Sequence, residues 1–564
     1  MIGIVWATKA GQRAAQRLAE AWPGECTVHN GLHLREAWEA SDAIVAFLAV
    51  GATVRLIAPL LRDKSTDPGV VCVDEAGRFA VALLGGHAGG ANELAARVAE
   101  VLGAQPVVTT GTDATGVTGL DALGFAVADP AMVAPVTRAM LDGEPIAWHA
   151  DATWPLPPLP PNVVTAPDAR HAVVISDRVV HVKETAALVL HPPSLVLGIG
   201  ASRGVGEVEL AELVDRVLGE AGLAASSVRC IATADIKADE AGLVAFARAR
   251  GWRLETYPAS ALSQVDVPHP SEVVARAVGT PSVSEAAALL SARIHGRDAE
   301  LVVPKTASAM ATVAVARLTP RGRLTIIGLG PGAADLRTPR ATARLRSASI
   351  VVGLDQYVDQ IKPLLSHGVR IVASGLGAEE ERARTAVLLA REGHAVALIG
   401  SGDAGIYAMA SPALEFAGDD IDVEVVPGVT AAIAAASLLG APLGHDHASI
   451  SLSDLHTPWE AIERRLESAA RADLVVCLYN PRSARRTEQL PEALRILGKH
   501  RPPTTPVGVV REASRAGERV LLTTLAEVNP EDVDMSTVVI VGASTTRNVN
   551  GRMVTPRGYQ WMPE

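Results

Sequence analysis

The stretch LTIIGLGPG, from Leu324 to Gly332, is an apolar, partly β-branched run that opens into a glycine-rich loop. A helix is predicted to follow it near Pro339 to Ser347. The same order recurs along the chain, for example at LVLGIG, Leu195 to Gly200, before a helix near Glu207 to Gly219. Strands that alternate with helices favour α/β layers with largely parallel sheets.

The composition is that of an ordinary globular protein. Hydrophobic residues make up 48 % and charged residues 20 %, which excludes wholesale disorder. At about 150 residues per domain, the 564 residues predict roughly four domains. The formal net charge of −11 argues against a nucleic-acid partner. Although mean hydropathy is positive at +0.23, no apolar stretch reaches about 18 residues, so a membrane protein is not expected.

The N-terminus and the cysteines both indicate a reducing cytoplasm. The first apolar run is followed by Lys9, Arg13 and Arg17, which reverses the charge order of a signal peptide and predicts a strand and then a helix. The cysteines show no C-x-x-C spacing, so neither a zinc site nor a disulfide framework is predicted. They are Cys26, Cys72, Cys230 and Cys477.

Two breaks divide the chain. The segment DATWPLPPLPP, Asp151 to Pro161, carries five prolines and is interpreted as a stiff linker or an irregular excursion. LTPRGR, Leu318 to Arg323, is a short basic junction before a new strand. We therefore expect an α/β domain at 1–150, a proline-rich linker and middle segment at 151–193, a second α/β domain at 194–318, and two lobes at 323–435 and 436–564.

The loop GLGPG, Gly328 to Gly332, can bring backbone N–H groups close to a ligand. On local evidence it indicates a nucleotide site, and Asp355 lies near the acidic position of a dinucleotide fingerprint, about 20 residues on. A nicotinamide dehydrogenase is therefore one hypothesis. Pro331 counts against it, because proline removes an N–H donor that a pyrophosphate would use.

Two further strands end in small residues. They are ALIGSGDAGIYAMA, Ala397 to Ala410, and VEVVPGVTAA, Val423 to Ala432. Three such strand ends would form one crevice at the carboxyl edge of a sheet, where open α/β folds bind ligands. Asp403 and Thr430 could instead cap helices.

These loops carry a resemblance. GLGPG, SGDAGIYAMA and VVPGVTA, in this order, resemble the class III S-adenosylmethionine-dependent methyltransferases of corrin and sirohaem synthesis. The segment at Ala441 to Leu466, LYNPRS at Leu478 to Ser483, and MSTVVIVGASTTR at Met535 to Arg547 resemble the precorrin-3B C17-methyltransferase branch. The likeness covers about Leu324 to Tyr559.

The resemblance implies that S-adenosylmethionine is bound between two α/β lobes. One departure from the family pattern is Ala404, where the commoner sequence is G-D-P. The positions that match the family's cofactor contacts are Pro331, Ser401, Gly402, Asp403, Ile406, Thr430 and Ala431, with Leu478 or Tyr479 and Ala513 less secure.

In the family reaction, methylation at C17 accompanies contraction of the macrocycle and closure of a lactone, so a proton shuttle is expected. Asp355 and Asp454 are the catalytic candidates, although both could be ordinary loop or strand-end carboxylates. Arg482 and Arg485 could pair with substrate carboxylates or lie on a solvated helix face. Further candidates in the substrate cleft are His445, Asp446, His447 and His456.

The N-terminal half resembles the cobalt-precorrin-5A hydrolase family, which opens the lactone and releases acetaldehyde. GATVRLIAPLLRDK at Gly51, GGHAGGANELA at Gly85 and PVVTTGTD at Pro106 carry the likeness in the first domain. Four later motifs carry it in the second: LVLGIGASRG at Leu195, TADIKADEAGL at Thr233, VPHPSEVVARAVGTPSVSEAAALL at Val267 and VPKTASAMATVAVA at Val303.

Lactone hydrolysis needs an activated water and a stabilised oxyanion. His87, with Glu93 nearby, is the candidate base, and Asn92 is expected to cap the helix that follows. The alternative for His87 is a satisfied structural histidine, and on spacing alone the loop is either an anion-binding helix N-terminus or a tight structural turn. The family tends to have Ser and then Asn after the lysine of VPKTASAM, so this half could instead be a non-catalytic tetrapyrrole-binding module. Alternative catalytic residues in the second domain are Lys237, Asp239, Glu240 and Lys305.

The sequence thus predicts a cytoplasmic, multidomain α/β protein, with a two-lobed class III methyltransferase fold after two smaller α/β domains. The expected function is bifunctional: C17 methylation with ring contraction, and opening of the cobalt-precorrin-5A lactone. The expected partner is a tetrapyrrole, without nucleic acid or membrane, and a homodimer through the methyltransferase half is a further expectation. Cobalt would enter only with the substrate, because the chain shows no ligand spacing for a metal.

Overall fold

The computed structural model describes residues 1–29, 33–63, 66–86, 89–112, 117–165, 168–180 and 186–558. The chain forms two compact units, Met1–Arg321 with Ser366–Gly368, and Gly322–Leu365 with Val369–Glu564. Every helix in these ranges is too short or too polar to cross a lipid bilayer.

The first sheet confirms the strand and helix predicted at the N-terminus. The helix Lys9–Ala21 is capped by Thr8, whose Oγ1 accepts a hydrogen bond from the Gly11 N–H at 3.1 Å. Other helices here are Leu34–Ala40, Val50–Ile57 and Ala91–Leu102. The strands, in spatial order β2-β1-β3-β4-β5-β6, are β1 (Ile2–Trp6), β2 (Cys26–His29), β3 (Ala43–Phe47), β4 (Gly69–Val73), β5 (Phe79–Leu84) and β6 (Gln105–Val107).

The second sheet lies beside the helix Val133–Leu141. The proline-rich segment 151–161 contains no helix or strand and leads from one strand of this sheet to another. The strands, in spatial order β7-β11-β10-β8-β9, are β7 (Ala126–Val127), β8 (Ile146–Ala150), β9 (Val163–Val164), β10 (His171–Ile175) and β11 (Ala186–His191).

The third sheet is covered closely by the helix Ser284–His295. A Cβ on Gly198 would lie 1.8 Å from the carbonyl oxygen of Ser284, so only glycine lets the helix lie this close. Its strands, ordered β14-β13-β12-β16-β15, are β12 (Leu195–Ala201), β13 (Val228–Ala234), β14 (Arg253–Tyr257), β15 (Asp298–Ala307) and β16 (Ala311–Thr319). The other helices are Glu207–Glu220, Ala241–Arg250, Ala259–Leu262 and Glu272–Val278.

The second unit begins with an all-parallel sheet, which we call lobe 1. The predicted helix after the GLGPG loop spans Pro339–Arg346 and is capped by Thr338, whose Oγ1 accepts from the Ala341 N–H at 3.1 Å. The strands, ordered β19-β18-β20-β17-β21, are β17 (Arg323–Gly328), β18 (Ile350–Leu354), β19 (Arg370–Ser374), β20 (Ala395–Gly400) and β21 (Asp422–Val426). The remaining helices are Asp355–Ile361, Glu379–Arg391 and Ala410–Phe416.

A mixed sheet follows, which we call lobe 2. Its strands, ordered β23-β24-β27-β25-β26, are β23 (His447–Ser451), β24 (Val475–Tyr479), β25 (Pro506–Arg511), β26 (Arg519–Thr524) and β27 (Thr537–Val541). A small sheet is formed by β22 (Gly440–Ala441), β28 (Arg547–Val549) and β29 (Arg552–Val554). The helices are Ala431–Leu439, Trp459–Arg471 and Gln489–Gly498.

The α/β class predicted from the sequence is confirmed, but the sheets are less uniformly parallel than expected. Lobe 1 is wholly parallel, whereas hairpins β4-β5, β15-β16 and β25-β26 add antiparallel pairs to three other sheets. A strand buried on both faces has the same apolar run in either orientation. The run itself therefore does not reveal strand direction, although the turn residues Glu75-Ala76-Gly77 predict from the sequence the β4-β5 pair that is observed.

Candidate functional site

The three glycine loops meet at the carboxyl ends of β17, β20 and β21. Gly330 and Gly402 exchange backbone hydrogen bonds of 3.0 and 2.8 Å, which joins the first loop to the second. A Cβ on Gly428 would lie 2.2 Å from the carbonyl oxygen of Gly402, so the third loop also needs glycine at its point of closest approach. The structure therefore brings together the strand ends that the sequence predicts to form a crevice.

Asp403 links the second loop to the third. Its Oδ1 accepts from the Gly405 N–H at 2.8 Å and its Oδ2 accepts from the Gly428 N–H at 3.0 Å. The alternative that Asp403 caps a helix does not hold, because both donors belong to loops. A carboxylate has about four lone-pair sites, so this half-buried side chain can still accept from a ligand.

Thr430 and Ala431, at the start of the helix Ala431–Leu439, are held by lobe 2 through Tyr479. The Tyr479 hydroxyl lies 2.6 Å from Thr430 Oγ1 and accepts from the Ala432 N–H at 3.0 Å. Thr430 makes no side-chain cap to its own helix, so the capping alternative fails here as well. Burial raises the pKa of Tyr479, which keeps the hydroxyl protonated and able to donate.

Tyr407 joins the second loop to lobe 2, and sequence reasoning missed it. Its hydroxyl donates to the Ser449 carbonyl at 2.8 Å, and its ring centroid lies 5.1 Å from that of Tyr479. Its φ of 51° is in the left-handed region, which is uncommon for a bulky residue and typical of functional loops. The neighbouring Ile406 is exposed, so this turn presents apolar surface.

Arg515 is the second residue that was missed. Its Nε donates to the Pro331 carbonyl at 2.7 Å, and its Nη2 donates to Ser401 Oγ at 2.9 Å. The aliphatic stem lies over Gly332, where a Cβ would come 2.6 Å from Arg515 Cγ. One lobe 2 guanidinium therefore fixes the first and second glycine loops, and the buried Ala513 lies two residues before it.

The catalytic candidates lie on different elements. Asp355 is the exposed first residue of the helix Asp355–Ile361, after β18 in lobe 1. Asp454, in lobe 2, accepts from Gln489 Nε2 at 2.9 Å. Within the described ranges, no hydrogen bond or ion pair joins the glycine loops to the predicted proton-shuttle residues Asp355, His445, Asp446, His447, Asp454 and His456.

The two arginine candidates differ in their surroundings. Arg482 donates to the Pro530 carbonyl at 2.8 Å and to Glu531 Oε1 at 2.7 Å. It is partly buried in a loop before the helix Gln489–Gly498, so the alternative of a solvated helix face is wrong. Arg485 is exposed. The adjacent Arg486 donates to the Asn480 carbonyl at 3.0 Å. This acceptor is uncharged, whereas Arg482 pairs with the Glu531 carboxylate.

In the first domain, His87 lies outside the described residues. The helix Ala91–Leu102 begins four residues further along the sequence, and its N-cap is Gly90 at φ 69°. The expectation that Asn92 caps this helix is wrong, because the helix starts one residue earlier and Asn92 Nδ2 donates to Thr110 Oγ1 at 3.2 Å. Glu93 is exposed in the first turn.

In the second domain, the alternative candidates lie in two groups, one after β13 and one on β15. Lys237 Nζ lies 3.5 Å from Glu240 Oε2, and Glu240 Oε1 accepts from the Gly204 N–H at 2.8 Å. Lys305 Nζ donates to the His269 carbonyl at 3.2 Å. Asp239 is exposed.

Comparison with known protein families matches three parts of the chain. Residues 323–529 match the tetrapyrrole (corrin/porphyrin) methylases. Residues 195–316 match the family described as cobalamin synthesis G C-terminus, and residues 32–113 match its N-terminal counterpart.

Individual relatives match the C-terminal part. A Salmonella typhimurium protein named "Probable cobalt-factor III C(17)-methyltransferase" is 48 % identical over 239 residues, which cover 42 % of this chain and 99 % of that protein. A Sinorhizobium protein named "Precorrin-3B C(17)-methyltransferase" is 39 % identical over 42 % of this chain and 97 % of its own length. The chain spans about half the length of several other curated relatives. Among solved structures, the methyltransferase CobJ is 39 % identical over 42 % of this chain and 100 % of that one, with a TM-score of 0.40.

The family matches confirm the resemblance predicted from the sequence. The chain joins the two cobalamin synthesis G domains, those of the cobalt-precorrin-5A hydrolase family, to a methylase domain whose relatives are named C17-methyltransferases. The chain therefore fuses domains of two kinds of enzyme from cobalamin biosynthesis.

Proposed function

The chain belongs to the tetrapyrrole (corrin/porphyrin) methylases through its C-terminal half, and we propose that this half methylates C17 of a corrin-ring precursor with S-adenosylmethionine as donor. The observation that carries the proposal is the junction of three glycine loops, tied together by Asp403 and fixed from lobe 2 by Tyr479 and Arg515.

The loops fit the cofactor that the family implies. A Cβ on Gly328 would lie 2.7 Å from the Gly402 carbonyl oxygen, and Gly402 has a φ of 70°, so small residues keep this cradle open. Asp403 can accept from an amino or hydroxyl group, and Ile406 presents apolar surface. The residues proposed to hold the cofactor are Pro331, Ser401, Gly402, Asp403, Ile406, Thr430, Ala431, Tyr479 and Ala513.

When bound, the cofactor supplies an electrophilic methyl group. The contribution of the chain is orientation, because the nucleophilic carbon must approach in line with the breaking bond. Such positioning can lower a barrier by as much as about 7–11 kcal/mol. We assign proton handling at the macrocycle to Asp355, which follows β18 in lobe 1, and to Asp454, which follows β23 in lobe 2.

The full chain, incubated with S-adenosylmethionine and the precorrin-3B or cobalt-factor III macrocycle, should add one methyl group per macrocycle, detected by mass spectrometry. Calorimetry should show binding of S-adenosylhomocysteine and none of NAD. Tight NAD binding without methyl transfer would support the dehydrogenase hypothesis and overturn this proposal.

We further propose that the N-terminal half opens the cobalt-precorrin-5A lactone and releases acetaldehyde. The matches to both cobalamin synthesis G domains support this, together with the charged groups Lys237, Glu240 and Lys305 at one sheet edge. The competing proposal is a non-catalytic tetrapyrrole-binding module, which the altered VPKTASAM motif favours. Acetaldehyde release by the full chain supports hydrolysis, whereas tight binding without release supports the module.

The names of the relatives differ on the metal, since one is a cobalt-factor III enzyme and the other a precorrin-3B enzyme. We propose that cobalt, where present, enters as part of the substrate. Parallel reactions with cobalt-loaded and metal-free macrocycles would identify the preferred form from their relative rates.

A cytoplasmic location and a homodimer through the methyltransferase half complete the proposal. The four free cysteines fit a reducing compartment. Light scattering of the purified chain would measure the oligomeric state, and a monomer would contradict the dimer.

A further inference from the structure

A fully buried carboxylate lies at the start of the helix Ser284–His295. Glu285, the second residue of this helix, has 0 % of its side chain exposed. The helix begins against β12, where Gly198 permits its close approach to the sheet. A buried carboxylate is stable only when hydrogen-bond donors surround it, so the donors to Glu285 indicate why a carboxylate occupies this position.

Three donors point at Glu285 from two segments. Oε1 accepts from the Lys305 N–H at 3.0 Å and from His269 Nδ1 at 2.8 Å, and Oε2 accepts from the His269 N–H at 3.2 Å. Burial by itself raises the pKa of this carboxyl, but the hydrogen bonds from Lys305 and His269 hold the pKa below its ordinary value. Glu285 is therefore ionised at neutral pH and can only accept.

His269 is held rigidly, yet its ring reaches solvent. It lies between Pro268 and Pro270, and prolines on both sides restrict its backbone. Because Glu285 only accepts, the proton of the neutral ring is on Nδ1, and Nε2 carries the basic lone pair. The side chain is 56 % exposed, and Nε2 forms no hydrogen bond within the part of the chain that the structure describes.

The topology places this pair at the ligand-binding edge of its sheet. β15 runs in the same direction as β12, because both pair antiparallel with β16. Lys305, near the end of β15, and Lys237, which follows β13, therefore lie at the same carboxyl edge. This is the edge at which α/β sheets bind their ligands.

We propose that His269 is the general base of lactone opening and that Glu285 is its positioning residue, an assignment that rests on the proposed hydrolase function. His269 Nε2 takes a proton from water while the water oxygen bonds to the lactone carbonyl carbon and the carbonyl π pair moves to its oxygen. Collapse of this adduct breaks the ring C–O bond, and the departing alkoxide takes the proton back from His269. The Lys305 ammonium provides positive charge beside this reaction.

The same helix offers a matched control. Its last residue, His295, pairs with Glu255 at 2.9 Å, but this pair lies ten residues along the helix, about 15 Å from Glu285, and is mostly buried. Both histidines thus pair with a glutamate in the same domain, but only His269 lies at the carboxyl edge of the third sheet.

The test uses the full chain, cobalt-precorrin-5A and the rate of acetaldehyde release. His269→Asn keeps a donor in the place of Nδ1 while removing the base, and should reduce the rate by at least about 100-fold. His295→Gln keeps the donor in the place of Nε2 and should retain the wild-type rate. Circular dichroism would establish that both variants fold.

A second variant separates positioning from structure. Glu285→Gln keeps a side chain of the same size but removes the negative charge that stabilises the imidazolium formed on His269 in the transition state, so kcat for acetaldehyde release should fall while KM stays near the wild-type value. The charged groups in contact with His269 are Glu285 from the helix and Lys305 from β15, and only Glu285 changes. An unchanged kcat would contradict the positioning role. Full activity of His269→Asn would overturn the assignment of the base, whereas no acetaldehyde from the wild type would overturn the hydrolase function itself, and the assignment with it.

Discussion

Arg515 is the side chain on which the first two glycine loops converge. Its two hydrogen bonds to Pro331 and Ser401 use adjacent arms of one planar guanidinium, and a point charge cannot reproduce that fork. The loops that it holds are those proposed to bind the cofactor. Replacement of this residue therefore tests whether lobe 2 prepares the site in lobe 1.

Arg515→Lys should weaken binding of S-adenosylhomocysteine by about tenfold or more, because a hydrogen bond from a charged group contributes about 1.5–3 kcal/mol. Calorimetry would measure the dissociation constant. Arg485→Lys is the control, since this exposed arginine lies on the same lobe and should bind as the wild type does. Equal affinity of both variants would contradict a role for Arg515 in the site.

Asp403→Asn should also weaken this binding, by roughly tenfold to a hundredfold. The carboxylate accepts from two backbone N–H groups, whereas an amide offers one oxygen and leaves one donor without an acceptor, at a cost of about 1–3 kcal/mol. Asp419→Asn, in the exposed turn before β21 and so at the opposite end of that strand from the third glycine loop, should leave the affinity unchanged. Unaltered calorimetric affinity in Asp403→Asn would remove this residue from the cofactor site.

At the scale of elements, glycines within strands and in the loops that follow them determine how closely neighbouring segments pack. Gly198 lies in β12 under the first turn of the helix that carries Glu285, and Gly428 lies where the third loop crosses the second. At both positions, the absence of a side chain on glycine allows two backbone segments to make close contact.

Gly198→Ala should destabilise the third-sheet domain, because the added methyl would overlap the Ser284 carbonyl and the helix must move away. Overpacking of this kind costs about 1–3 kcal/mol. Urea denaturation followed by circular dichroism would show an earlier transition. Gly219→Ala in the helix Glu207–Glu220 is the control: no atom lies within 4 Å of its added Cβ, so this change should be neutral or stabilising. Equal midpoints for both variants would contradict the packing argument.

At the scale of the whole molecule, the two proposed activities reside in different compact units. Asp403 belongs to the second unit and His269 to the first. The net charge of −11 remains notable for a protein whose proposed substrate is a polycarboxylate. Local positive groups, such as Lys305 in the first unit and Arg486 in the second, would offset that charge where substrate binds.

The two activities should therefore be separable by single substitutions in the full chain. Asp403→Asn should lose methyl transfer at limiting cofactor and retain acetaldehyde release, and His269→Asn should show the reverse. Parallel assays of methyl incorporation and acetaldehyde would measure both. Loss of both activities in either folded variant would show that the two sites depend on one another.

Sequence patterns alone identified the repeated strands, turns and helices, the three glycine loops in lobe 1, and the family resemblance in both halves. Such patterns report local preferences, which explains why the helix after GLGPG was predicted to within a residue of its observed end at Arg346. Except for the β4-β5 pair at the turn Glu75-Ala76-Gly77, strand direction was not recoverable, because buried parallel and antiparallel strands share one apolar pattern.

Only the tertiary structure revealed that Arg515 reaches Pro331, 184 residues away, and that His269 meets Glu285 across a helix start. It also showed that Asp403 accepts from the loop residues Gly405 and Gly428, and that the Tyr479 hydroxyl contacts the start of the helix Ala431–Leu439. These pairings depend on which strand ends the fold places side by side. A single polar residue carries no periodicity, so its partner is decided by the packing of whole elements and not by its own neighbours in the chain.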